Sequence, residues 1–305
     1  MTRDDTTAPA LQEATLGTLF GLAAYGMWGL FPLYWKSLSA VPPVQILAHR
    51  IAWAFVFTLI LAVVLKKAPA FKALFHNPKR MLATVAAGIL ISVNWGIYIW
   101  AVNIGQIVET SIGYYLNPLI SVVLGATVLR EKLDKGIIIS CVIAGLGITI
   151  LTLSYGSLPW IALSLAASFS LYGLIKKMTG LDALTGLTAE TAVVFPLALA
   201  YLWFEHAGGR GSFGSVGARE TILLALAGIV TAIPLLAYAA GVKRIPLSRM
   251  GFLQYLSPTL QLLLGVLVYG ETISGIRGVA FGFVLVALIV FSLTRIKKAR
   301  PTLAS

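Results

Sequence analysis

Ionisable side chains inside apolar stretches are the first candidates for chemistry in this sequence. Arg50 and Glu190 each lie six residues into an apolar run of about 20 residues, and His49 directly precedes Arg50. A charge at the centre of a membrane-spanning helix costs about 2.5–3.5 kcal/mol, so it needs an ion partner, water or a bound molecule. These residue types suit reversible ion pairing and proton transfer.

Depth in the membrane predicts how these charges pair. If Arg50 and Glu190 lie on helices that enter from opposite sides, they are about 12 Å apart along the membrane normal, too far for one salt bridge. Glu109 has a depth close to that of Arg50, and Arg249 lies on the side of Glu190. The sequence predicts Arg50–Glu109 as an outer gate and Glu190–Arg249 as an inner gate that open alternately. The alternative is that all four are ordinary charges satisfied at helix ends.

Proton carriage has two candidates. The imidazole of His49 titrates near pH 6.5 when unperturbed, and Glu190 is an equal candidate as a partly buried carboxylate. The alternative for His49 is a hydrogen-bonded packing residue. His76 and His206 fall in polar stretches, and Cys141 is the single cysteine, so neither a metal site nor a cofactor is predicted.

Composition identifies the elements that must position these residues. The chain has 305 residues, 58% hydrophobic and only 11% charged, with a mean hydropathy of +0.90, whereas a soluble domain has about 25% charged residues. Ten apolar segments have the length of a membrane-spanning helix, which predicts an all-α integral membrane protein. They are residues 16–36, 44–65, 81–103, 107–129, 136–154, 158–175, 184–204, 220–241, 249–270 and 275–294.

An internal repeat divides the ten segments into two sets of five. "YLNPLISVVLGATVLRE" (115–131) returns in register as "YLSPTLQLLLGVLVYGE" (255–271), an offset of 140 residues. Because five is odd, the second set must enter from the opposite side, which predicts two inverted repeats with a substrate site between them near the midplane. The predicted units are a tail (1–15), a first repeat (16–154), a second repeat (155–295) and a tail (296–305).

The repeated phrase carries two further expectations. Its prolines, Pro118 and Pro258, fall near the centres of their helices and should free the carbonyls of Tyr114 and Gln254; a plain bend without substrate contact is the alternative. Its terminal glutamates, Glu131 and Glu271, are predicted to cap the helix that follows each.

The distribution of positive charge predicts orientation. Of the 23 Lys and Arg residues, 18 fall on the side that both chain ends share, so both termini are expected in the cytoplasm. The net charge of +12 is dispersed over short loops, where it favours anionic lipid headgroups, and it requires no nucleic-acid partner.

Several segments together resemble a known family. They include "AAYGMWGLFPLYWK" (23–36), "NWGIYIWAVN" (94–103), "ETSIGYYLNPL" (109–119) and "GFLQYLSPTL" (251–260). From about residue 15 to 295 the chain is similar to the RarD branch of the EamA transporters, within the drug/metabolite transporter superfamily. The resemblance implies a bacterial inner-membrane permease with ten helices in two EamA-type repeats. It implies no particular cargo, although the branch is associated by name with chloramphenicol sensitivity.

The predicted substrate wall comes from the third, fourth, eighth and ninth spans. Its polar and aromatic residues recur at three- and four-residue steps, so they share helix faces. The predicted set is Asn94, Tyr98, Ser111, Tyr114, Asn117, Pro118, Tyr238, Gln254, Tyr255 and Pro258, with Trp28, Trp53, Trp95 and Trp100 as added aromatic surface. For any single Tyr or Trp the alternative is helix packing or the membrane interface.

These features together favour a secondary active transporter for a small metabolite or drug, with H+ as a candidate coupling ion and a monomer or homodimer as the assembly. A passive channel and a polytopic membrane enzyme are the alternatives. The sequence contains no G-x-x-x-x-G-K-[ST] loop, H-E-x-x-H or G-x-S-x-G pattern, which disfavours an ATP-driven pump or a hydrolase and predicts that the protein is not an enzyme.

Overall fold

Helices make up the structure throughout the described part of the chain. The computed structural model describes residues 7–128, 135–155, 158–242, 244–245, 250, 253–273 and 275–299. In the first half the helices are α1 (Thr7–Gly29), α2 (Phe31–Lys36), α3 (Pro43–Val64), α4 (Ala68–Phe75), α5 (Pro78–Asn103), α6 (Ile107–Val128) and α7 (Lys135–Tyr155). In the second half they are α8 (Trp160–Thr179), α9 (Ala183–Ala207), α10 (Ala218–Val242), α11 (Leu256–Leu263) with a π-helical segment (Leu264–Val268), and α12 (Gly275–Ala299).

Six helical stretches are long and apolar enough to cross a membrane by length and composition. They are Gln12–Lys36, Pro43–Val64, Pro78–Asn103, Ile107–Val128, Ala183–Ala207 and Ala218–Gly241. Four shorter apolar helices lie within the remaining predicted segments, at Ile138–Ile150, Trp160–Lys176, Leu256–Val268 and Gly278–Thr294. The chain is therefore an all-helical, multi-pass membrane protein.

Two predicted spans are interrupted at proline. The segment 16–36 is divided into α1 and α2 at Leu30, two residues before Pro32. In the segment 249–270, residues Gln254 and Tyr255 form a turn, and α11 starts only at Leu256, so Pro258 lies in its first turn. Proline removes a backbone donor and crowds the carbonyl four residues earlier, which accounts for both breaks. By contrast, α6 continues through Pro118.

Capping residues stand at the starts of helices that follow short connections. The side chain of Asn77 accepts from Arg80 N at 3.0 Å, and Pro78 supplies a first helical residue that needs no donor. Asp182 caps α9 in the same way through Thr185 N at 3.3 Å. The connection between α3 and α5 contains the short helix α4, which falls between two of the predicted spans.

A cap that joins the two halves corrects an expectation. Both carboxylate oxygens of Glu271 accept from the start of α6, at Ile107 N and Val108 N, each at 2.8 Å. Glu271 therefore caps a helix 164 residues earlier in the chain, not the following helix as predicted. Its repeat equivalent, Glu131, lies outside the described residues.

Helix packing follows one pattern in both halves. Two helices of the first half pack against the second half: α5 contacts α8 and α9, and α6 contacts α8. Their equivalents in the second half pack against the first half: α10 contacts α1 and α3, and α11 contacts α1. Adding 140 residues to the first-half helix of each contact, and subtracting 140 from its partner, gives the matching contact of the other half. Two further contacts join equivalent helices directly: α3 packs against α9, and α7 packs against α12.

Two glycines permit the closest of these contacts. A Cβ placed on Gly88 would lie 2.6 Å from Glu190 O in α9, and one on its equivalent, Gly228, would overlap the backbone of Trp53 and Ala54 in α3. The backbones touch because neither position carries a side chain.

We expect Gly228→Ala to force α10 away from α3 and to lower stability by about 1–3 kcal/mol, the usual cost of overpacking. Thermal unfolding of the purified protein in detergent measures this as a lower melting temperature. The matched control is Gly145→Ala in α7, where a Cβ meets nothing within 4 Å. Equal melting temperatures for the two variants would contradict the close contact.

Candidate functional site

A cavity lies between the helices of both halves. Its volume is about 370 Å³. The lining comes from α1, α2, α3, α5 and α6 in the first half, and from α8, α9, α10, α11 and the turn before α11 in the second. The lining is mainly aromatic and aliphatic with a small number of polar groups, which is typical of sites that hold small organic molecules.

Seven of the ten residues predicted for the substrate wall line this cavity. They are Asn94, Tyr98, Tyr114, Asn117, Tyr238, Gln254 and Pro258. The repeat brings equivalents to the same space: Tyr98 with Tyr238, and Tyr114 with Gln254. Equivalent residues of the two halves therefore line the same cavity. Their role in binding stays a prediction.

The other three predicted residues, Ser111, Pro118 and Tyr255, are not among the lining residues. Ser111 is fully buried and its hydroxyl donates to Pro258 O at 2.7 Å, which joins α6 to α11. Tyr255 stacks on its equivalent, Tyr115, with ring centroids 6.3 Å apart. The hydroxyl of Tyr115 is 2.6 Å from that of Thr259. These contacts hold α6 against α11, beside the cavity.

Arg50 lies in the cavity wall among aromatic rings. Its guanidinium carbon is 4.1 Å from the ring centroid of Trp95, 4.7 Å from that of Trp35 and 5.6 Å from that of Phe31. Nε donates to the hydroxyl of Thr231 at 3.1 Å, and the side chain is only 3% exposed. Cation–π attraction and one hydrogen bond therefore compensate for part of the burial of this charge.

Four buried polar atoms belong to residues that line the cavity and have no hydrogen-bond partner among the described residues. They are Arg50 Nη1, Tyr98 OH, Asn117 Oδ1 and Gln261 Oε1. Most buried polar groups in proteins are paired, because an unpaired one costs about 1–3 kcal/mol. The clustering of four such atoms around one space identifies the cavity as the candidate site.

An ion pair lies beside the cavity at Lys176. Its ammonium nitrogen is 2.9 Å from Glu190 Oε1, and the hydroxyl of Tyr172 donates to Glu190 Oε2 at 2.9 Å. Glu190 is buried, while Lys176 and Tyr172 also line the cavity. The carboxylate therefore has a partner on each oxygen, as a buried charge requires.

Arg50 bonds to Thr231 in this structure, and the pairing of Arg50 with Glu109 stays a prediction. Helix α3 packs against α5, α9 and α10, whereas α6 packs mainly against α8 and α11. Equal depth does not by itself bring two side chains together when their helices have different neighbours. Arg249, the predicted partner of Glu190, lies outside the described residues.

His49, the other candidate proton carrier, is buried next to Phe213, in the connection between α9 and α10. The two rings stack with centroids 5.1 Å apart and an interplanar angle of 25°. Phe213 also lies 6.1 Å from the ring of Trp53. The arrangement is a packing contact, and it leaves the proposed proton carriage by His49 as a prediction.

Comparison with known proteins identifies the family of this chain. Residues 15–153 and 158–293 match the model of the EamA-like transporter family. The chain belongs to that family. It is 44% identical over 293 residues to the uncharacterized transporter YojE of Bacillus subtilis, covering 95% of this chain and 98% of the relative. It is 40% identical to protein RarD of Streptomyces exfoliatus, over 97% of this chain and 94% of the relative.

One solved crystal structure of a protein resembles the fold of this EamA-like transporter. It matches with a TM-score of 0.57 at 21% identity and covers 93% of this chain and 99% of that chain. At this identity the likeness concerns the fold alone. The match to the family model and the similarity to protein RarD confirm the predicted family. The chain is a multi-pass membrane transporter.

Sequence reasoning missed Lys176, Tyr172 and Thr231 as cavity residues of the transporter. Lys176 was counted among the loop charges, although its equivalent Lys36 ends α2 and also has internal partners, the carbonyls of Val102 and Asn103. A lysine repeated at the end of an apolar helix was the available signal. Thr231 carried no signal of its own, because a single threonine in a helix is common.

We expect Lys176→Met to lower stability by about 3 kcal/mol, the lower end of the cost of leaving a buried carboxylate unpaired, since Lys176 is a quarter exposed. The double variant Lys176→Met/Glu190→Gln should recover much of this loss. Thermal unfolding of both single variants and the double variant in a double-mutant cycle gives the coupling free energy.

The matched control is the ion pair of Lys67 with Asp182, 3.3 Å apart, whose side chains are 35% and 41% exposed. Burial raises the pKa of Asp182, but hydrogen bonds from Thr185 and the charge of Lys67 outweigh it and leave the pKa lowered. Lys67→Met should cost less than about 1 kcal/mol. Equal losses for the two lysines would show that Lys176 is no more important than a surface charge.

Proposed function

We propose that this transporter is a secondary active carrier that moves a small organic metabolite or drug across the bacterial inner membrane by alternating access. The cavity is the observation that supports this best, because residues from both halves of the chain line one space. Its volume is within the range of sites for small organic molecules. Its polar atoms without partners offer the few directional contacts that would orient such a cargo.

Two inverted repeats of five membrane-spanning helices are part of the proposal, at residues 16–154 and 155–295. The exchange of equivalent helix contacts between the halves supports this division. So does the pair of close approaches at Gly88 and Gly228, which lie 140 residues apart. In such carriers the two repeats rock against each other around a fixed central site.

The proposed orientation has both termini in the cytoplasm, on the side that holds 18 of the 23 Lys and Arg residues. Helix α8 then ends, and α9 then begins, at the cytoplasmic side. The ion pairs of Lys67 with Asp182 and of Lys176 with Glu190 would lie towards the cytoplasm, and the connection between α9 and α10 would lie outside.

Polar contacts on both sides of the cavity are candidates for gates. On the proposed outer side, the amide of Gln45 donates to Arg210 O and accepts from Ser212 N, both at 2.8 Å. This holds Phe213 over His49. On the inner side, Lys176 and Glu190 join α8 to α9. We propose that the outer and inner contacts break alternately, and Glu109 and Arg249 stay candidates for this gating.

Proton coupling is proposed through Glu190, with His49 as the alternative carrier. Protonation of Glu190 would remove the negative charge that holds Lys176 at 2.9 Å. The loss of that ion pair would change both the inner contact and the charge beside the cavity. A proton on Glu190 would therefore act on the same pair, Lys176 and Glu190, that would close the inner side. Monomer or homodimer stays the prediction for assembly.

A transport assay tests the proposed function. We would screen metabolites and antibiotics by thermal shift on the purified protein, then measure flux of each hit into proteoliposomes with and without a pH gradient. A carrier gives saturable flux that the gradient increases, and Glu190→Gln should abolish the effect of the gradient. Flux that rises without limit indicates a channel, and conversion of the compound indicates an enzyme.

We expect Gly173→Leu to lower the initial rate of that flux by about tenfold, because modest changes of shape in an apolar pocket have effects of this order. Gly173 lines the cavity, and a Cβ there meets nothing within 4 Å, so the variant fills space without a clash. The matched control is Gly145→Leu, which has equal room on α7 away from the cavity. Unchanged flux in Gly173→Leu would show that cargo does not pass through the cavity.

A further inference from the structure

The guanidinium of Arg50 is a buried cation with unused hydrogen-bonding capacity. The side chain is 97% buried, Nε donates to Thr231 at 3.1 Å, and Nη1 has no partner among the described residues. A guanidinium has five N–H donors, all of which lie in its plane. The rings of Trp95 and Trp35 attract the charge but carry no lone-pair acceptor atom, so they do not pair these donors.

The charge of Arg50 is uncompensated by any carboxylate in the described part of the chain. The cationic side chains in the cavity wall are Arg50 and Lys176, and none of the described lining residues is Asp or Glu. Lys176 is neutralised by Glu190, which lies just behind the wall. The surroundings of the cavity therefore carry one positive charge in excess.

A purely structural role does not account for this arrangement. A buried arginine that only stabilises the fold normally has its donors paired, because each unpaired donor costs free energy. Here an unpaired donor and an unpaired hydroxyl are buried on two residues that line one cavity, Arg50 and Tyr98. Such donors suit an acceptor of opposite charge, which a planar guanidinium binds through two parallel hydrogen bonds.

We infer that the cavity binds an organic monoanion, with the guanidinium of Arg50 as the anchor for its carboxylate; the inference rests on the proposed carrier function. One excess positive charge matches one negative charge, whereas a dianion would leave an excess of opposite sign. The remainder of the wall is mainly apolar and aromatic, including Trp28 and Phe169, so the body of the cargo is a hydrophobic or aromatic group. A neutral analogue of the same shape lacks the charge-assisted contact.

Binding of two isosteric probes tests this inference on the full-length protein in detergent. The probes are 3-phenylpropionate and its neutral counterpart 3-phenylpropionamide, and isothermal titration calorimetry measures the affinity of each. We expect the acid to bind at least about tenfold more tightly, as for a hydrogen bond to a charged group. Equal affinities, or no binding of the acid, would overturn the inference.

Variants assign the preference to Arg50. Arg50→Gln should reduce the tenfold preference to parity by weakening binding of the acid alone, and Arg50→Lys should retain part of it, because charge persists without the planar pair of donors. The control Arg80→Gln, an exposed residue at the start of α5, should keep the full preference. If Arg50→Gln fails to fold, Arg50→Lys and the comparison of probes on the unmodified protein still decide the question.

The outcomes separate this inference from the proposed function. If the acid binds preferentially but no carboxylate is transported, the anion site is supported and the proposed carrier function is rejected. Saturable flux of a neutral compound at an unchanged rate in Arg50→Gln, with no preference for the acid, supports the carrier and removes the anion site.

Discussion

The buried charge of Arg50 constrains how the surrounding helices pack. Its hydrogen bond to Thr231 requires α10 to approach α3 closely. Gly228 lies three residues before Thr231 on the same face of α10, and without a side chain it lets the backbone rest on Trp53 and Ala54, one turn after Arg50. The interaction that compensates for the charge and the close packing of the two helices are therefore one arrangement, and neither persists if the helices separate.

The repeat reproduces the steric part of this arrangement and changes its chemistry. Gly88 brings α5 onto α9 at Glu190, as Gly228 brings α10 onto α3. In the second half, however, the charge is negative and its partner comes from α8, where Lys176 completes an ion pair. The two halves therefore have the same helix crossings but different charges. Glu190 is neutralised by Lys176, whereas Arg50 is stabilised by aromatic rings and the hydroxyl of Thr231.

Length and apolarity were enough to predict where the helices lie, because backbone hydrogen bonds cannot be left unsatisfied in lipid. Seven of the ten predicted wall residues line the cavity, because residues at three- and four-residue steps share a helix face. The partners of Arg50, Glu190 and Glu271 could not be predicted, because they depend on how each helix is rotated and on which helix of the other half lies beside it. Depth alone suggested Glu109 for Arg50, and chain order alone suggested the wrong helix for Glu271.

The two prolines of the repeated phrase show how tertiary contacts modify a local rule. Each must relieve the crowding of the carbonyl four residues earlier. Helix α6 does so while remaining continuous through Pro118, whereas the chain before α11 turns at Gln254 and begins a new helix. The hydroxyl of Ser111 in the first half donates to Pro258 O, so the segment at Pro258 is held by a helix of the other half. Local sequence therefore determines where the helix is disturbed, and tertiary contacts accompany the form that the disturbance takes.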